Sequence, residues 1–313
     1  MARPMPREPP VMSATLLVSG LIASTRILHA IMSTVCIIGA GDIAGAAAHA
    51  LARGERVSRV LLIDADGKVA AGKALDIQQS GAVDLFHVRL DGTDDVSRVA
   101  GCAAVIVADR FGRPAAEWQG EDGLALVTRL ASYAGDAPMV FAGATQAELL
   151  RASVREVHMV RERLAGSAPE ALVAAVRAMV AMEASCSPAE VNLTVLGAPP
   201  SGFVVPWSEA SIGGYGLERV LSQVALARIE ARVARLWPPG PFALGLAAAR
   251  VTEALVRHSR RAFSVLMVLG GEFGVRGRVG AMPVNLSPVG IASTRVPTLN
   301  TRERVRLETA LGA

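Results

Sequence analysis

The sequence contains few aromatic residues and almost no lysine. Phe, Trp and Tyr make up 4% of the 313 residues, whereas hydrophobic residues as a whole make up 51%. The core is therefore expected to consist mainly of Ala, Val and Leu side chains. Lys68 and Lys73 are the only lysines among the 32 basic residues. Because the arginines are scattered along the chain, without long basic runs or interleaved aromatics, the net charge of +4 does not indicate a nucleic-acid-binding surface.

The chain also lacks closely spaced cysteines and a long uninterrupted apolar run. Cys36, Cys102 and Cys186 are far apart, so neither a metal site nor a disulfide framework is predicted, and a reducing, cytoplasmic location is expected. Residues 1–31 are proline-rich and then apolar, but Arg26 and several small polar residues interrupt the ~18 apolar residues that a membrane helix needs. We expect a disordered or spurious extension here, with a targeting peptide as the alternative, and no membrane span.

From Thr34 onwards, short apolar runs alternate with stretches of helical pattern. Strands are predicted at TVCIIGAG, RVLLIDAD, FHVRL, AAVIVAD and PMVFAGA, and helices follow the first two of them. This alternation predicts right-handed crossovers and a parallel sheet that is covered on both faces. The predicted fold class is therefore α/β, with a doubly wound, Rossmann-type domain over residues 32–153.

Residues 154–313 are predicted to form a second domain of the α+β type. Helices are predicted at PEALVAAVRAMVAMEA, GLERVLSQVALARIEARVARLW and NTRERVRLETAL, and Asn300 and Glu303 are expected to form a capping pair in the last of them. Strands are predicted at EVNLTVLGA, SVLMVLG and AMPVNLS, with a hairpin between the last two. Four residues of the second helix are expected to share one apolar helical face: Leu217, Val220, Leu221 and Val224.

A glycine-rich turn, GAGDIA, joins the first predicted strand to its helix. Gly39 permits a tight turn, Gly41 lets a pyrophosphate approach the backbone, and Ala44 allows close helix–strand packing. Asp64 ends the next strand about 20 residues later, where its carboxylate would accept ribose hydroxyls and repel the 2′-phosphate of NADP. NAD binding is predicted, with a purely structural turn as the alternative. The predicted cofactor-binding residues are Gly39, Gly41, Asp42, Ile43, Ala44 and Asp64.

These features resemble the malate/lactate dehydrogenase family, as do GKALDIQQS after Asp64, VPWSEASIGG at residues 205–214 and LGGEFGV at residues 269–275. The resemblance covers about residues 33–313. It implies an NAD-binding domain, a mixed catalytic domain and a homo-oligomer, either a dimer or a tetramer. It also implies a reaction in which a histidine takes the proton of the substrate hydroxyl, an aspartate orients that histidine, and an arginine clamps the substrate carboxylate.

The residues at the corresponding positions of this chain differ from the family pattern. The family's histidine lies in a turn of the form G-x-H-G-D, which corresponds to the turn that starts at Gly197, so Pro199 stands at the histidine position. In the same register, Leu172 stands at the aspartate position and Ala175 at the arginine position. Ala144 replaces an asparagine that lies near cofactor and substrate. No catalytic residue is therefore predicted.

One candidate for substrate binding follows from the resemblance. The family's mobile loop, which supplies further arginines, corresponds to DRFGRPAAEWQGEDG, and Arg113 matches the first of those arginines. Glu170 and Arg177 flank the altered helix positions but are expected to point elsewhere around the helix. The five histidines are expected to be structural or surface residues: His29, His49, His87, His158 and His258.

The sequence thus predicts a malate/lactate dehydrogenase-like NAD-binding protein that has lost ordinary 2-hydroxy acid dehydrogenase activity. Such a pseudoenzyme would have a noncatalytic role in binding NAD or a protein partner. Two alternatives stay open: a divergent NAD-dependent oxidoreductase acting on another small substrate, and a structural subunit that no longer binds nucleotide. NAD(H) and further copies of the chain are the expected partners, and neither nucleic acid, membrane nor metal is expected.

Overall fold

The computed structural model describes residues 33–112, 117–200, 202–257 and 259–312. The predicted extension over residues 1–31 and the candidate substrate residue Arg113 lie outside these ranges. The first half of the described chain alternates strands with helices. Its strands are β1 (Thr34–Ile38), β2 (Arg59–Ile63), β3 (Arg89–Thr93), β4 (Ala104–Val107), β5 (Met139–Phe141) and β6 (Leu164–Gly166). Its helices are α1 (Asp42–Gly54), α2 (Gly67–Asp84), α3 (Gly120–Tyr133) and α4 (Ala147–Arg155).

These six strands are all parallel and lie in the order β3-β2-β1-β4-β5-β6. The order reverses between β1 and β4, which is the switch point where ligands of doubly wound sheets bind, beside the carboxyl ends of the strands. The predicted doubly wound, Rossmann-type fold is therefore confirmed. The third strand lies slightly later in the chain than the predicted FHVRL segment.

The core covers both faces of the parallel sheet. Because successive strand residues point to opposite faces, Ile37 belongs to one apolar cluster and Ile38 to the other. Small side chains let the helices approach each other closely, as the aromatic-poor composition suggests. At Gly245, for example, an added Cβ would lie only 2.5 Å from the Cβ of Ala46 in α1.

The second half extends the same sheet with antiparallel strands. It contains β7 (Val191–Asn192), β8 (Leu196–Ala198), β9 (Gly202–Val204), β10 (Ser211–Ile212), β11 (Tyr215–Gly216), β12 (Ala262–Gly270), β13 (Arg276–Ser287) and β14 (Gly290–Thr294). Its helices are α5 (Ala168–Ala184), α6 (Leu217–Val220), α7 (Gln223–Val233), α8 (Pro241–Arg257) and α9 (Thr301–Leu311). The sheet continues from β6 through β12, β13, β8 and β9, and a small separate sheet holds β7, β10 and β11.

Short 3-10 helices occur at Val96–Val99, Arg161–Arg163, Trp207–Glu209, Ala234–Leu236 and Glu272–Gly274. The predicted hairpin between the last two long strands is present as β12 and β13, and Asn300 and Glu303 form the expected capping box. The predicted domain boundary after Ser153 falls inside α4, and one sheet runs through both predicted domains. The division into two domains stays a prediction.

The predicted long helix after Tyr215 was wrong in its middle. Leu221 is extended, and the Ser222 hydroxyl accepts a hydrogen bond from the Ala225 N–H (3.2 Å), so that a new helix starts there. As a result, Val220 and Val224 are exposed rather than buried with Leu221.

The predicted single strand EVNLTVLGA was also wrong. Its first part forms β7 in the small sheet and its last part forms β8 in the main sheet, so the chain passes from one sheet to the other at residues 193–195. The N–H of Val195, within this crossing, donates to the Ser264 hydroxyl (3.0 Å) of the neighbouring long strand. None of the helices in the described ranges is long and apolar enough to cross a membrane.

Candidate functional site

The glycine-rich turn between β1 and α1 lies at the switch point of the sheet. Gly39 has a φ of +112°, and a Cβ there would lie 2.1 Å from the carbonyl oxygen of Asp109. Gly41 directly precedes α1, and Ala44 in its first turn is fully buried. The turn therefore has the tight geometry that its sequence predicts, and it places the positive end of α1 beside the carboxyl ends of β1 and β4.

Asp109, the second residue after β4, occupies this helix N-terminus. Its Oδ2 accepts hydrogen bonds from the backbone N–H groups of Asp42 (2.9 Å) and Ile43 (3.2 Å), and its Oδ1 accepts one from Ala44 (2.9 Å). Burial raises the pKa of this carboxyl above its usual value, although the three N–H groups favour the charged form. Asp109 is not among the residues predicted from sequence, but an acid two residues after the buried run AAVIV is a signal that points to it.

Asp64, the predicted ribose ligand, is half-buried at the end of β2. Its Oδ2 accepts a hydrogen bond from the Ala40 N–H in the glycine-rich turn (2.9 Å), and its Oδ1 accepts one from Asp66 (3.2 Å). The structure thus brings Asp64 to the same turn as Gly39 and Gly41. Its role toward a ribose stays a prediction.

Glu117 caps the loop that follows β5. Its Oε1 accepts a hydrogen bond from the Ala144 N–H (3.0 Å), and its Oε2 accepts one from the Thr145 N–H (2.8 Å). At Gly143, an added Cβ would lie 2.2 Å from Glu117 Oε2. This loop holds the position at which the resemblance places an asparagine near the cofactor. Here the Glu117 carboxylate binds its backbone N–H groups. Ala144 itself is buried.

The segment that carries Asp109 and Glu117 corresponds to the family's mobile loop. The two residues form an antiparallel bridge, and the guanidinium of Arg110 lies 4.6 Å from the ring centre of Trp118. Phe111 lies beneath Lys73, whose Nζ donates to the carbonyl oxygen of Gly41 (2.8 Å). With the hydrogen bonds of Asp109 and Glu117, these contacts hold both described ends of the segment beside the switch point.

The positions that the resemblance assigns to the catalytic aspartate and arginine lie on α5, directly after β6. Leu172 is fully buried and belongs to an apolar cluster that includes Val195 and Val205. Ala175 lies on the next turn of the helix and is half-buried. Neither side chain can bind a proton or a carboxylate.

Pro199 lies at the tip of the hairpin formed by β8 and β9. The strands pair with Ala198 opposite Gly202, and Gly197 has a φ of +117° with no room for a Cβ beside the carbonyl oxygen of Gly202. Pro199 is half-buried, whereas Pro200 is exposed. The predicted turn is therefore present. The assignment of Leu172, Ala175 and Pro199 to the family's catalytic positions stays a prediction.

The charged residues on either side of Leu172 and Ala175 have hydrogen-bond partners outside this hairpin. Glu170 accepts hydrogen bonds from Arg261 and from the N–H of Ser264, and Arg177 donates to the carbonyl oxygen of Pro188 (2.9 Å). Burial raises the pKa of Glu170 to about 7, against the opposing effect of Arg261. We assign this carboxylate to the support of β12. In the described part of the chain, no group of three His, Cys, Asp or Glu residues could hold a metal.

The fold and the turn together define a Rossmann-type α/β protein with an antiparallel extension of its sheet. The chain belongs to the malate/lactate dehydrogenase family. It is 30% identical to the L-lactate dehydrogenase of Thermus aquaticus, over 87% of this chain and 94% of that protein. It is 28% identical to the malate dehydrogenase of Myxococcus xanthus, over 87% of this chain and 92% of that protein.

Solved structures agree on the fold. The lactate dehydrogenase of Cryptosporidium parvum, in a complex with lactic acid and nicotinamide adenine dinucleotide, matches with a TM-score of 0.81 and 20% identity, over 90% of this chain and 95% of that chain. The malate dehydrogenase of Aeropyrum pernix matches with a TM-score of 0.80 and 22% identity, over 89% of this chain and 95% of that chain. No protein-family model matches the chain.

Proposed function

We propose that this protein is a noncatalytic member of the malate/lactate dehydrogenase family, a pseudoenzyme for 2-hydroxy acid oxidation. One observation carries the proposal: Pro199, Leu172 and Ala175, none of which has an ionisable side chain, stand where the resemblance places the proton acceptor, its partner and the carboxylate clamp, respectively. Loss of a general base typically costs ~10²–10⁴ in rate. Loss of the clamp removes charge-assisted hydrogen bonds of ~1.5–3 kcal/mol each.

The described histidines offer no replacement base. His49 contacts Asp84 (3.1 Å) and His87 contacts Glu55 (3.2 Å), both on the outside of the parallel half. His158 is exposed before the amino end of β6, whereas the switch point lies at the carboxyl ends of the strands. These placements support the expectation that these three are structural or surface residues.

The packing around Leu172 supports a pocket that is apolar at several of the assigned catalytic positions together, rather than one that lacks only the histidine. A buried aspartate at this position would be an uncompensated charge if the facing histidine were absent, at a cost of several kcal/mol. Leu172 instead joins the apolar cluster with Val195 and Val205. An apolar side chain here stabilises the fold without any catalytic partner.

NAD binding by this chain stays a prediction, and two features bear on it in opposite directions. Asp64 lies beside the glycine-rich turn, where it supports a ribose contact. Asp109 already accepts the N–H groups of Asp42, Ile43 and Ala44 that a diphosphate would need, so these residues do not fit the cofactor while Asp109 keeps this position. A homo-oligomer, a protein partner and a cytoplasmic location also stay predictions.

The proposed function is tested by NADH oxidation with oxaloacetate and with pyruvate, using the malate dehydrogenase of Myxococcus xanthus as the positive control for oxaloacetate and the L-lactate dehydrogenase of Thermus aquaticus for pyruvate. We expect turnover at least ~10⁴-fold below the ~10 s⁻¹ of a typical enzyme, because both the base and the clamp are missing. Turnover near ~10 s⁻¹ with either substrate would contradict the proposal and favour a divergent oxidoreductase.

A further inference from the structure

Asp109 stands where a diphosphate would have to bind. In a Rossmann fold the phosphates approach the backbone beside the second glycine of the turn and accept the free N–H groups of the following helix. At Gly41, an added Cβ would lie 2.2 Å from Asp109 Oδ2, so the carboxylate fills the space that this glycine leaves open. The same carboxylate accepts the N–H groups of Asp42, Ile43 and Ala44.

The charge of this arrangement also opposes a diphosphate. A carboxylate already balances the positive end of α1, and a bound diphosphate would add further negative charge at the same atoms. Asp109 is only 9% exposed, so solvent does little to screen that repulsion. To admit the cofactor, Asp109 would have to leave all three N–H groups.

A second carboxylate holds the other end of the segment. Glu117 accepts the N–H groups of Ala144 and Thr145, at the loop after β5, and pairs with Asp109 in an antiparallel bridge. Arg110, next to Asp109, stacks on Trp118, next to Glu117. Charge-assisted hydrogen bonds therefore tie both ends of the segment to the switch point, and a movement of both ends away from it would break both sets.

We infer that Asp109 is an internal substitute for the cofactor's diphosphate, and that this chain is a family member whose dinucleotide site is closed by its own carboxylate. The closed dinucleotide site does not depend on the assigned catalytic positions. It concerns the turn between β1 and α1, whereas those positions lie on α5 and on the hairpin of β8 and β9. If the open form has a population of ~1%, the apparent affinity for a dinucleotide falls ~100-fold below that of an open site.

The inference is tested by calorimetric titration of NADH into the wild-type protein and into Asp109→Gly, Asp109→Asn and Glu117→Gln. We expect no measurable binding to the wild type at millimolar NADH. Asp109→Gly is expected to gain at least ~100-fold in affinity, because it removes both the charge and the side chain. Asp109→Asn keeps the shape and can still accept an N–H, so it should gain less, and Glu117→Gln should gain least.

Asn300→Ala is the matched control, because it removes the side-chain cap of a different helix, α9. It should leave NADH binding as weak as in the wild type. Wild-type binding with a micromolar Kd would overturn the inference, and so would a folded Asp109→Gly protein that gains no affinity. If Asp109→Gly does not fold, Asp109→Asn and the wild type decide, since asparagine also caps helices well.

The result is distinguishable from a failure of the proposed function. A wild-type protein that binds NADH tightly but reduces neither oxaloacetate nor pyruvate would overturn the closed site and leave the noncatalytic role standing. A protein that turns over substrate would overturn both.

Discussion

The switch point and the hairpin with α5 are proposed to differ from the sites of a working dehydrogenase in different ways. At the switch point, the backbone turn with Gly39 and Gly41 is intact, and a carboxylate from the neighbouring strand end occupies it. At the hairpin and α5, the backbone is also intact, but the side chains at the assigned catalytic positions are apolar. On the proposed assignment, a carboxylate fills the first region, and the second lacks the polar groups that the family's reaction needs.

The difference has a physical reason. The N–H groups at the start of α1 belong to the backbone and cannot be removed by substitution, so without a cofactor they need another acceptor. Asp109 supplies one. The positions assigned to catalysis instead depend on side chains, and apolar side chains can fill such positions together at no electrostatic cost. One substitution should therefore free the N–H groups at the start of α1, whereas several substitutions would be needed to restore the assigned catalytic positions.

The largest expected effect comes from returning a charge to the apolar region. Leu172→Asp should lower the free energy of unfolding by ~3–5 kcal/mol, because the carboxylate would be buried without a partner. Leu172→Asn, of the same shape but neutral, separates the cost of the charge from that of the lost packing. Urea unfolding at constant pH measures both variants.

Adding Pro199→His and Ala175→Arg to Leu172→Asp should recover part of that loss, so that the triple variant is more stable than the sum of the three single changes implies. Pro199→His alone should restore no oxaloacetate reduction. If the three changes are strictly additive, these positions do not converge and the assigned register is incorrect.

A smaller effect is expected from Glu170, which lies on α5 two residues before Leu172. The pKa of Glu170 is raised to about 7 from a usual value near 4.5, chiefly by burial. A group whose pKa is raised by folding stabilises the fold below its unfolded pKa, and this contribution is lost as pH rises through the folded pKa. The free energy of unfolding should therefore fall between about pH 4.5 and pH 7, on the order of 3 kcal/mol from this group.

Glu170→Gln should flatten that part of the pH profile, as measured by urea unfolding at a series of pH values. An unchanged profile in the variant would mean that Arg261 holds the carboxylate ionised in the fold despite its burial. In that case Glu170 and Arg261 would form an ion pair that stabilises the fold at neutral pH.

Much of the fold follows from local sequence pattern. The buried strands on either side of the glycine-rich turn, the turn itself and the capping box of Asn300 are set by residues close together in the chain. The break at Ser222 was missed because a serine inside an apolar helical pattern can either continue the helix or cap a new one. The crossing between β7 and β8 contains a hydrogen bond from Val195 to Ser264, a contact far along the chain that no local pattern indicates.

The content of the candidate site was less predictable. Gly39, Gly41 and Asp64 come together as their spacing indicates. Asp109 was not predicted, because its role depends on the strand order, which places the end of β4 beside the turn after β1. The contacts of Glu117 with the loop after β5 likewise require the path of a segment that has no periodic pattern.

The most direct test is a crystal structure of the wild-type protein grown with millimolar NADH. We predict that the Asp109 carboxylate will accept the N–H groups of Asp42 and Ala44, with Leu172 packed in its apolar cluster and no dinucleotide at the turn. A diphosphate bound to those N–H groups, with the Asp109 side chain turned away, would contradict the closed site. It would show that this protein binds a dinucleotide at the turn.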